Sequence, residues 1–413
     1  MKLRKLIGFL ITLLAFTTFT GCGSKDDPAP EGGKTSSLTI EEQKAKMETA
    51  ANELMSDLQA SGVRNVTDIA DYASETYNDD NYDCDGVEKW WSDCLDAVTK
   101  LNSSDTYSKT FTRLYAASNF TGHFKANTST KQWDYTPASD LEFIFPDKQG
   151  KECTATLTTS GKTKKVYMGE SDEYINWRED DFYKNYVEVP EDIKVTFTQG
   201  GTTIATMDLS TDLSGMASEN FDLTKDSYSA VCKLMVNNFT FEVKQAAYSP
   251  TSASVAFSVS KGDKSLLSMT AAAKGAVTDE FTEVGIASVN VDILGEIQIK
   301  GDCSNCSKYS GYINDADDND GNEATFKSDI SQANAILDLG LYYNSDTRQA
   351  SIALEPFEEE YNGYGKYWYS EPVLKFDDGT SYSTFEAFFD KTSFKDVIDN
   401  FNKLIGDYQA MID

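Results

Sequence analysis

The chain has 413 residues and a formal net charge of −30, and 40% of its residues are hydrophobic. This hydrophobic content is enough for a buried core, and the length predicts about two to three domains. The acidic balance argues against binding to nucleic acid or to an anionic membrane surface, because phosphate groups attract basic faces. The single histidine, His123, excludes metal centres that need two imidazoles.

The first residues have the layout of a secretion signal. Lys2, Arg4 and Lys5 form a positive segment, and the apolar run Leu6–Phe19 follows it. Such a run has the length of a signal peptide core and is short for a membrane span. No later apolar stretch approaches the length of a span, so the sequence predicts no membrane-crossing helix in the rest of the chain.

The run ends in Phe19-Thr20-Gly21-Cys22, which resembles the lipobox of bacterial lipoproteins. Phe19 stands where that family prefers Leu, while the Gly-Cys pair is kept. The resemblance implies that residues 1–21 are a signal peptide, and that Cys22 is acylated and becomes the mature N-terminus. The lipid would then be the only membrane anchor.

Lys25, Asp26 and Asp27 follow the cysteine closely and resemble the surface-export signal of Bacteroidota lipoproteins. The resemblance implies an outer-membrane lipoprotein that faces the cell exterior, with the periplasmic face as the alternative. Residues 22–38 are rich in Pro, Gly and Ser and are predicted to form a lipidated flexible tether that reaches about 20–24 Å.

Six cysteines remain beyond Cys22, and an even number outside the cytoplasm suggests disulfides. Cys84 with Cys94, and Cys303 with Cys306, are the candidate pairs. The Cys-Ser-Asn-Cys spacing of the second pair suits either a local staple or a redox pair. A redox motif sits at a helix N-terminus after a strand, and the flanking Gly, Asp, Ser and Lys residues predict a loop instead.

Residues 39–107 are predicted to be a helical N-terminal region. Thr39 and Glu42 have the spacing of a capping box. Apolar residues recur at helical intervals over positions 47–58, and Gly62 is a predicted C-terminal stop.

Residues 108–300 are predicted to form an antiparallel sheet, because apolar and polar residues alternate there. Three similar segments, 141–161, 195–215 and 255–275, each read as two strands joined by a turn, with Phe at the third position. Another hairpin is predicted over 339–354, turning at Asn344-Ser345-Asp346.

The fold class predicted from these elements is α+β. A large antiparallel, curved sheet would carry N- and C-terminal helices on its apolar face. Residues 301–330 are predicted to be an acidic, cysteine-containing loop, and residues 331–413 a hairpin, an aromatic loop and C-terminal helices. The half-barrel layout resembles that of periplasmic lipoprotein carriers, although no motif is shared.

An acidic run is the candidate metal site, since calcium binds six to eight hard oxygen ligands. The candidate ligands are Asp315, Asp317, Asn319, Asp320 and Glu323. The run does not match an EF-hand: counted from Asp315, position six is Asp320 and position twelve is Phe326. A solvated acidic loop is the alternative.

An aromatic segment near the C-terminus is the candidate ligand site. Its residues are Tyr361, Tyr364, Tyr367, Trp368 and Tyr369, and three glutamates precede it. Aromatic rings stack on sugar faces while nearby carboxylates and amides bind the hydroxyl groups. The segment therefore predicts a glycan site, and the alternative is a strand whose rings pack against the sheet.

Signals for catalysis are weak. The chain has no nucleophile elbow, phosphate-binding loop or dinucleotide fingerprint, and His123 lies in a strand-like stretch where a structural role is favoured. The leading hypothesis is a non-catalytic surface lipoprotein that binds an extracellular ligand such as a glycan. The alternatives are an accessory subunit of an outer-membrane complex and a hydrolase that uses paired carboxylates.

Overall fold

The computed structural model describes residues 38–57, 61–77, 118, 121–167, 186–277, 282–343, 347–361, 365–376 and 382–384. The signal peptide, Cys22, Lys25, Asp26, Asp27, Cys84, Cys94, Tyr364 and the predicted C-terminal helices lie outside these residues. The described helices are α1 (Ile40–Asp57), α2 (Ser61–Thr76), α3 (Cys306–Asp318) and α4 (Glu323–Ile336). The described strands are β1 (Gly122–Asn127), β2 (Gln132–Thr136), β3 (Leu141–Pro146), β4 (Glu152–Tyr167), β5 (Tyr186–Gln199), β6 (Thr202–Asp212), β7 (Tyr228–Val236), β8 (Phe239–Ser249), β9 (Ser252–Lys261), β10 (Lys264–Val277), β11 (Thr282–Ile293), β12 (Ile297–Cys303), β13 (Leu337–Tyr343), β14 (Arg348–Tyr361), β15 (Gly365–Lys375) and β16 (Tyr382–Thr384).

The protein is mostly β-structure, and its strands form a large open sheet with the order β2-β1-β3-β4 and then β5 to β16 in sequence. The sheet is mixed, whereas the sequence predicted an antiparallel one. β1 and β3 run parallel, and the other strand pairs whose register is described run antiparallel. Beyond the region 108–300 and the hairpin predicted over 339–354, the sheet also contains β15 and β16, which extend it to residue 384.

The parallel pair arises because β2 hairpins back along one side of β1, and the next strand then returns on the other side of β1. The connection places Gly122 close to Tyr135. Gly122 has φ 134°, and an added Cβ would come within 2.2 Å of the Tyr135 ring. The positive φ and the close approach of the Tyr135 ring therefore require glycine at position 122.

The described residues form two compact units. One unit contains α2, β1 to β7 and most of β8, and the other contains α1, β10 to β16, α3 and α4, while β9 has residues in both. This division differs from the predicted linear succession of regions, because α1 groups with the later strands and α2 with the earlier ones.

The unit of β1 to β8 has a core built from alternate side chains of long strands. Phe145, Val195, Phe197, Met207 and Leu234 are at most 1% exposed. Intervening residues such as Thr154, Thr198 and Lys194 point to the other face. This alternation is the period-two pattern expected of a sheet with one buried face.

Helix α2 belongs to the same unit and buries one side formed by Val66, Ile69, Ala70 and Ala73. Tyr77 follows the helix, and its carbonyl accepts a hydrogen bond of 3.1 Å from the indole nitrogen of Trp133 in β2. The two rings lie 5.5 Å apart. Because α2 begins at Ser61, Gly62 lies inside a helix and is not the predicted stop signal.

Helix α1 begins with the predicted capping box. The Thr39 amide donates to the Glu42 carboxylate at 2.8 Å, and the Glu42 amide donates to the Thr39 hydroxyl at 3.3 Å. The helix packs Met47, Ala50 and Met55 against an apolar cluster on β12 to β15. Below, the apolar face means the side of these strands that carries Ile297, Ile299, Leu341, Tyr343, Ala350, Ile352, Leu354 and Leu374.

The segment predicted as an acidic loop over 301–330 contains the end of β12, helix α3 and most of helix α4. Ala316, Phe326 and Ile330 form the buried contact between the two helices, with Leu354 and Trp368 packed against them. Asn334 of α4 pairs with the backbone of Leu354, donating to its carbonyl and accepting from its amide at 2.8 Å each. Buried apolar residues therefore stabilise helices in a segment whose composition is typical of a loop.

The predicted hairpins are present. The segments 141–161, 195–215 and 255–275 correspond to β3–β4, β5–β6 and β9–β10. Their third residues, Phe143, Phe197 and Phe257, are 7%, 0% and 6% exposed. The hairpin over 339–354 is β13–β14, with its turn at 344–346 outside the described residues.

Phe197→Ala should lower the free energy of unfolding by about 3–5 kcal/mol, because it removes a fully buried ring and leaves a cavity in the β1 to β8 core. Urea denaturation followed by circular dichroism measures the change. Thr196→Ala is the matched control, since Thr196 is the preceding residue on the opposite face. It should cost less than about 1 kcal/mol, and equal losses for the two variants would contradict the assigned faces.

Candidate ligand-binding face

The predicted aromatic loop is a strand hairpin formed by β14 and β15. Because successive strand residues point to opposite faces, the five predicted ligand residues do not form one cluster. Tyr367 and Tyr369 share one face, and Trp368 lies on the apolar face. Tyr361 ends β14 opposite Gly365, and its side chain lies outside the described part of the structure.

The side of β12 to β15 opposite the apolar face is called the polar face below. On it, Phe357 lies directly across from Tyr369, and Glu359 lies across from Tyr367. The ring centres of Phe357 and Tyr369 are 5.8 Å apart, and those of Tyr367 and Tyr369 are 6.2 Å apart. These three half-buried rings form a continuous row, called the aromatic strip.

Carboxylates border the aromatic strip. The Tyr367 hydroxyl donates to the Glu359 carboxylate at 2.5 Å. Partial burial raises the pKa of Tyr369, and the negative charges of Glu371 and Glu359 raise it further. The Tyr369 phenol therefore stays protonated at neutral pH and can donate a hydrogen bond.

A second group of residues on the polar face surrounds Arg348 and is called the arginine cluster: Arg348, Asp338, Tyr342, Lys300 and Asp302. The Arg348 guanidinium forms an ion pair with Asp338, and its Nε donates to the Tyr342 hydroxyl at 3.1 Å. The Lys300 ammonium lies 4.4 Å from the centre of the Tyr342 ring, within cation–π range. Two cations therefore lie against one tyrosine.

The charges of the arginine cluster are interdependent. Burial by itself would lower the pKa of Arg348, but the hydrogen bonds to Tyr342 and Asp338 outweigh this effect and raise it. Burial raises the pKa of Asp302, and the nearby Asp338 carboxylate adds to the increase, while Arg348 opposes it. Asp302 therefore holds its proton more tightly than a solvated aspartate does.

The arginine cluster and Phe357 were not predicted from the sequence. A signal for part of the cluster was available in the predicted hairpin, since a turn centred on Ser345 pairs Tyr342 with Arg348, as the structure does. The pairing of Lys300 and Asp302 with β13 carried no local signal. β12 and β13 are separated in sequence by two helices.

Trp368 has a structural environment. Its ring lies 6.5 Å from that of Phe326 in α4, and the Lys327 ammonium lies 4.2 Å from its centre. The Trp368 amide donates to the Asp320 carbonyl at 2.7 Å. These contacts attach the α3–α4 connection to β15.

The predicted calcium ligands are spread over helices and their connection. Asp315 and Asp317 flank the buried Ala316 in α3, and two residues along a helix place their side chains about 200° apart. The Asn319 amide donates to the Asp315 carbonyl at 2.6 Å, and the Glu323 carboxylate pairs with Lys327 at 2.7 Å. Within the described ranges, no three acidic, cysteine or histidine side chains are grouped to hold a metal ion.

The cysteines of the described segments are free thiols, including the predicted pair Cys303 and Cys306. The predicted loop around this pair is wrong. Cys303 is the last residue of β12 and Cys306 is the first residue of α3. Cys153 and Cys232 are buried in strands, and burial raises their pKa values to about 11 and about 12.

His123 lies in β1 between two acidic side chains. Its Nε2 is 2.9 Å from the Asp140 carboxylate, and its Nδ1 is 3.7 Å from that of Glu142. Both ring nitrogens therefore face carboxylates of the neighbouring segment.

Comparisons with protein-family models, with curated proteins and with solved structures give no match. In the described part of the chain, no helix combines the length and the apolar character needed to cross a membrane.

Asp302→Asn should raise the melting temperature at neutral pH. The folded protein binds the Asp302 proton more tightly than the unfolded chain does, so the folded state loses stability as the pH rises through the raised pKa. An uncharged amide removes this loss. Thermal unfolding followed by circular dichroism at a series of pH values measures the effect.

The difference in melting temperature between Asp302→Asn and wild type should become smaller as the pH falls toward the ordinary aspartate pKa of about 3.9. At that pH the wild-type carboxyl is increasingly neutral as well. A difference that does not change with pH would show that the amide acts by packing or hydrogen bonding instead of through the charge.

Proposed function

We propose that this protein is an outer-membrane-anchored surface lipoprotein that binds an extracellular glycan without catalysis. The lipobox-like residues ending in Cys22 and the segment Lys25-Asp26-Asp27 support the location. The aromatic strip supports the binding role, and it is the observation on which the proposal rests.

The aromatic strip has the composition expected of a sugar-binding surface. Three rings lie in a row along one strand pair, and each keeps part of its surface accessible to solvent. The row places apolar ring faces beside the carboxylates of Glu359 and Glu371, which can accept hydrogen bonds from sugar hydroxyls. An extended ligand can contact several rings at once, so weak individual contacts can add up.

The position of the strip on the polar face fits this role. α1 and the α3–α4 pair pack against the apolar face of the same strands. Those helices pack against the opposite side of β14 and β15, so the rings of the aromatic strip lie on packed strands instead of a loop. A binding row built on strands loses little conformational entropy when a ligand binds.

A carboxylate-dependent hydrolase is the second candidate, and one observation favours it. Glu355 and Glu371 are direct cross-strand partners on the polar face, and Lys375 pairs with Glu355 at 2.6 Å. Directly opposed strand residues have Cβ atoms about 4.5–5.5 Å apart, so the two side chains start close enough for their carboxyl groups to reach the roughly 5–9.5 Å separations that glycosidases use. Shortening of a bound glycan would distinguish this activity from binding.

An accessory role in an outer-membrane complex is a further alternative, and it would call for a continuous exposed apolar patch. Val231 and Met235 are exposed on β7, at 45% and 39%, but the outward side chain between them is Lys233. The exposed apolar side chains of β7 are therefore not a continuous patch, and they support the accessory role less strongly than the aromatic strip supports ligand binding.

The finer description of the fold is also a proposal. We infer that the sheet curves like a half-barrel and that the predicted C-terminal helix covers part of its apolar face. The packing of α1 against β12 to β15 supports this arrangement, since it shows an amphipathic helix using that face.

Tyr369→Ala should weaken glycan binding roughly tenfold or more, because it removes the middle ring of the aromatic strip. A glycan array probed with residues 24–413 identifies the ligand, and calorimetry then measures the dissociation constants of wild type and variant.

Trp368→Phe is the control for Tyr369→Ala. Trp368 lies on the apolar face beside Phe326, and phenylalanine keeps most of that packing, so binding should be unchanged. An array without any hit, or equal losses of affinity in both variants, would count against the proposed site.

Cys22→Ser should release the protein from the membrane, because serine has no thiol to acylate. Fractionation of cells that express the full chain would show the variant in the soluble fraction and the wild type in the outer membrane.

Replacement of Lys25, Asp26 and Asp27 by alanine should keep the lipid anchor but abolish cleavage by protease added to intact cells. A wild-type chain found in the soluble fraction would contradict the lipoprotein assignment.

A further inference from the structure

The Cys-Ser-Asn-Cys segment lies at a junction between a strand and a helix. Cys303 ends β12, Cys306 begins α3, and Asn305 caps the helix by accepting a 3.0 Å hydrogen bond from the Lys308 amide. A thiolate at this end of a helix faces the positive end of the helix dipole and the unpaired backbone amides of the first turn.

The two cysteines are in contact, since the Cys306 thiol lies 3.9 Å from the carbonyl oxygen of Cys303. A hydrogen bond from the Cys306 thiol lowers the pKa of Cys303, although burial opposes the shift, and the amide of Asn305 also stabilises this thiolate. The same hydrogen bond raises the pKa of Cys306, and burial adds to the increase. The pair therefore loses its first proton readily and keeps the second, so it can carry one negative charge shared through a hydrogen bond.

The surroundings of the pair are apolar. Val284, Ala287 and Tyr309 pack around the cysteines, and burial raises the pKa of the Tyr309 phenol, with the nearby cysteines adding to the increase. Cys303 is 9% exposed, while Cys306 is half-buried and is thus the more accessible sulfur. The junction combines an accessible sulfur with a sheltered partner, an arrangement suited to reversible chemistry.

We propose that Cys303 and Cys306 form a thiol–disulfide exchange site that cycles between the dithiol and an intramolecular disulfide, with a low-molecular-weight disulfide as oxidant. This role is independent of glycan binding on the polar face.

The exchange proceeds in two displacements. The proton first moves from the Cys306 thiol to the Cys303 thiolate, and the more accessible Cys306, now the thiolate, attacks one sulfur of the oxidant, forms a mixed disulfide and releases one thiolate. That thiolate takes the proton of Cys303, and the Cys303 sulfur then attacks the Cys306 sulfur. The Cys303–Cys306 bond forms, a second thiolate leaves, and the two electrons have passed to the oxidant.

The test uses the full chain, equilibrated in buffers of increasing oxidised-to-reduced glutathione ratio, then acid-quenched, alkylated and digested with trypsin. Cleavage after Lys300 and Lys308 gives one peptide, residues 301–308, which contains both cysteines and no others. The peptide should lose the mass of two hydrogen atoms and escape alkylation, with a midpoint inside the glutathione range. Cys153 and Cys232 are internal references that should stay reduced, because burial keeps them as protonated thiols.

Three results would overturn the proposal. A peptide that remains oxidised in the most reducing buffer would identify a permanent staple, and a peptide that stays a dithiol or carries two separate glutathione adducts would show that the sulfurs do not join. Cys303→Ser should trap glutathione on Cys306, whereas Cys306→Ser should react more slowly through the less exposed Cys303. The wild-type titration decides the question even if either variant fails to fold.

Discussion

Strands such as β3, β6 and β7 bury every second side chain over much of their length, and the positions of the other elements depend on this alternation. A slip of one residue between neighbouring strands would move a whole apolar row into solvent, so the register is strongly determined. The two sides of β5 differ sharply in burial. Val195 and Phe197 are completely buried, whereas Lys194 in the same strand is exposed. At about 25 cal/mol per Å² of apolar surface, these rows supply a large part of the free energy that stabilises the fold.

The same alternation separates the apolar face of β12 to β15 from their polar face. Helices α1, α3 and α4 pack on one side, and the aromatic strip and the arginine cluster lie on the other. Consecutive residues such as Tyr367, Trp368 and Tyr369 therefore have different roles. Trp368 secures the helical pair, while its two neighbours remain part of the surface proposed to bind a ligand.

The helical pair α3–α4 shows where reasoning from composition fails. The acidic run before residue 324 is typical of a solvated loop, yet Ala316, Phe326 and Ile330 provide enough buried contact to keep both flanking segments helical. This burial depends on Leu354 and Trp368, which lie in strands that follow later in the chain. The start of α3 at Cys306 also places the cysteine pair at a helix N-terminus, which its flanking residues did not indicate.

Local patterns in the sequence by themselves determined the capping box of α1, the hairpins with buried Phe143, Phe197 and Phe257, and the mainly β character of the chain. These features depend on neighbours within a few residues, so spacing alone carries the information. Only the tertiary structure decided the parallel pairing of β1 with β3, the helices α3 and α4, and the assembly of Lys300 and Asp302 with Arg348. In each case the partners lie on different elements, and the burial or charge that stabilises the arrangement exists only after the chain has brought them together.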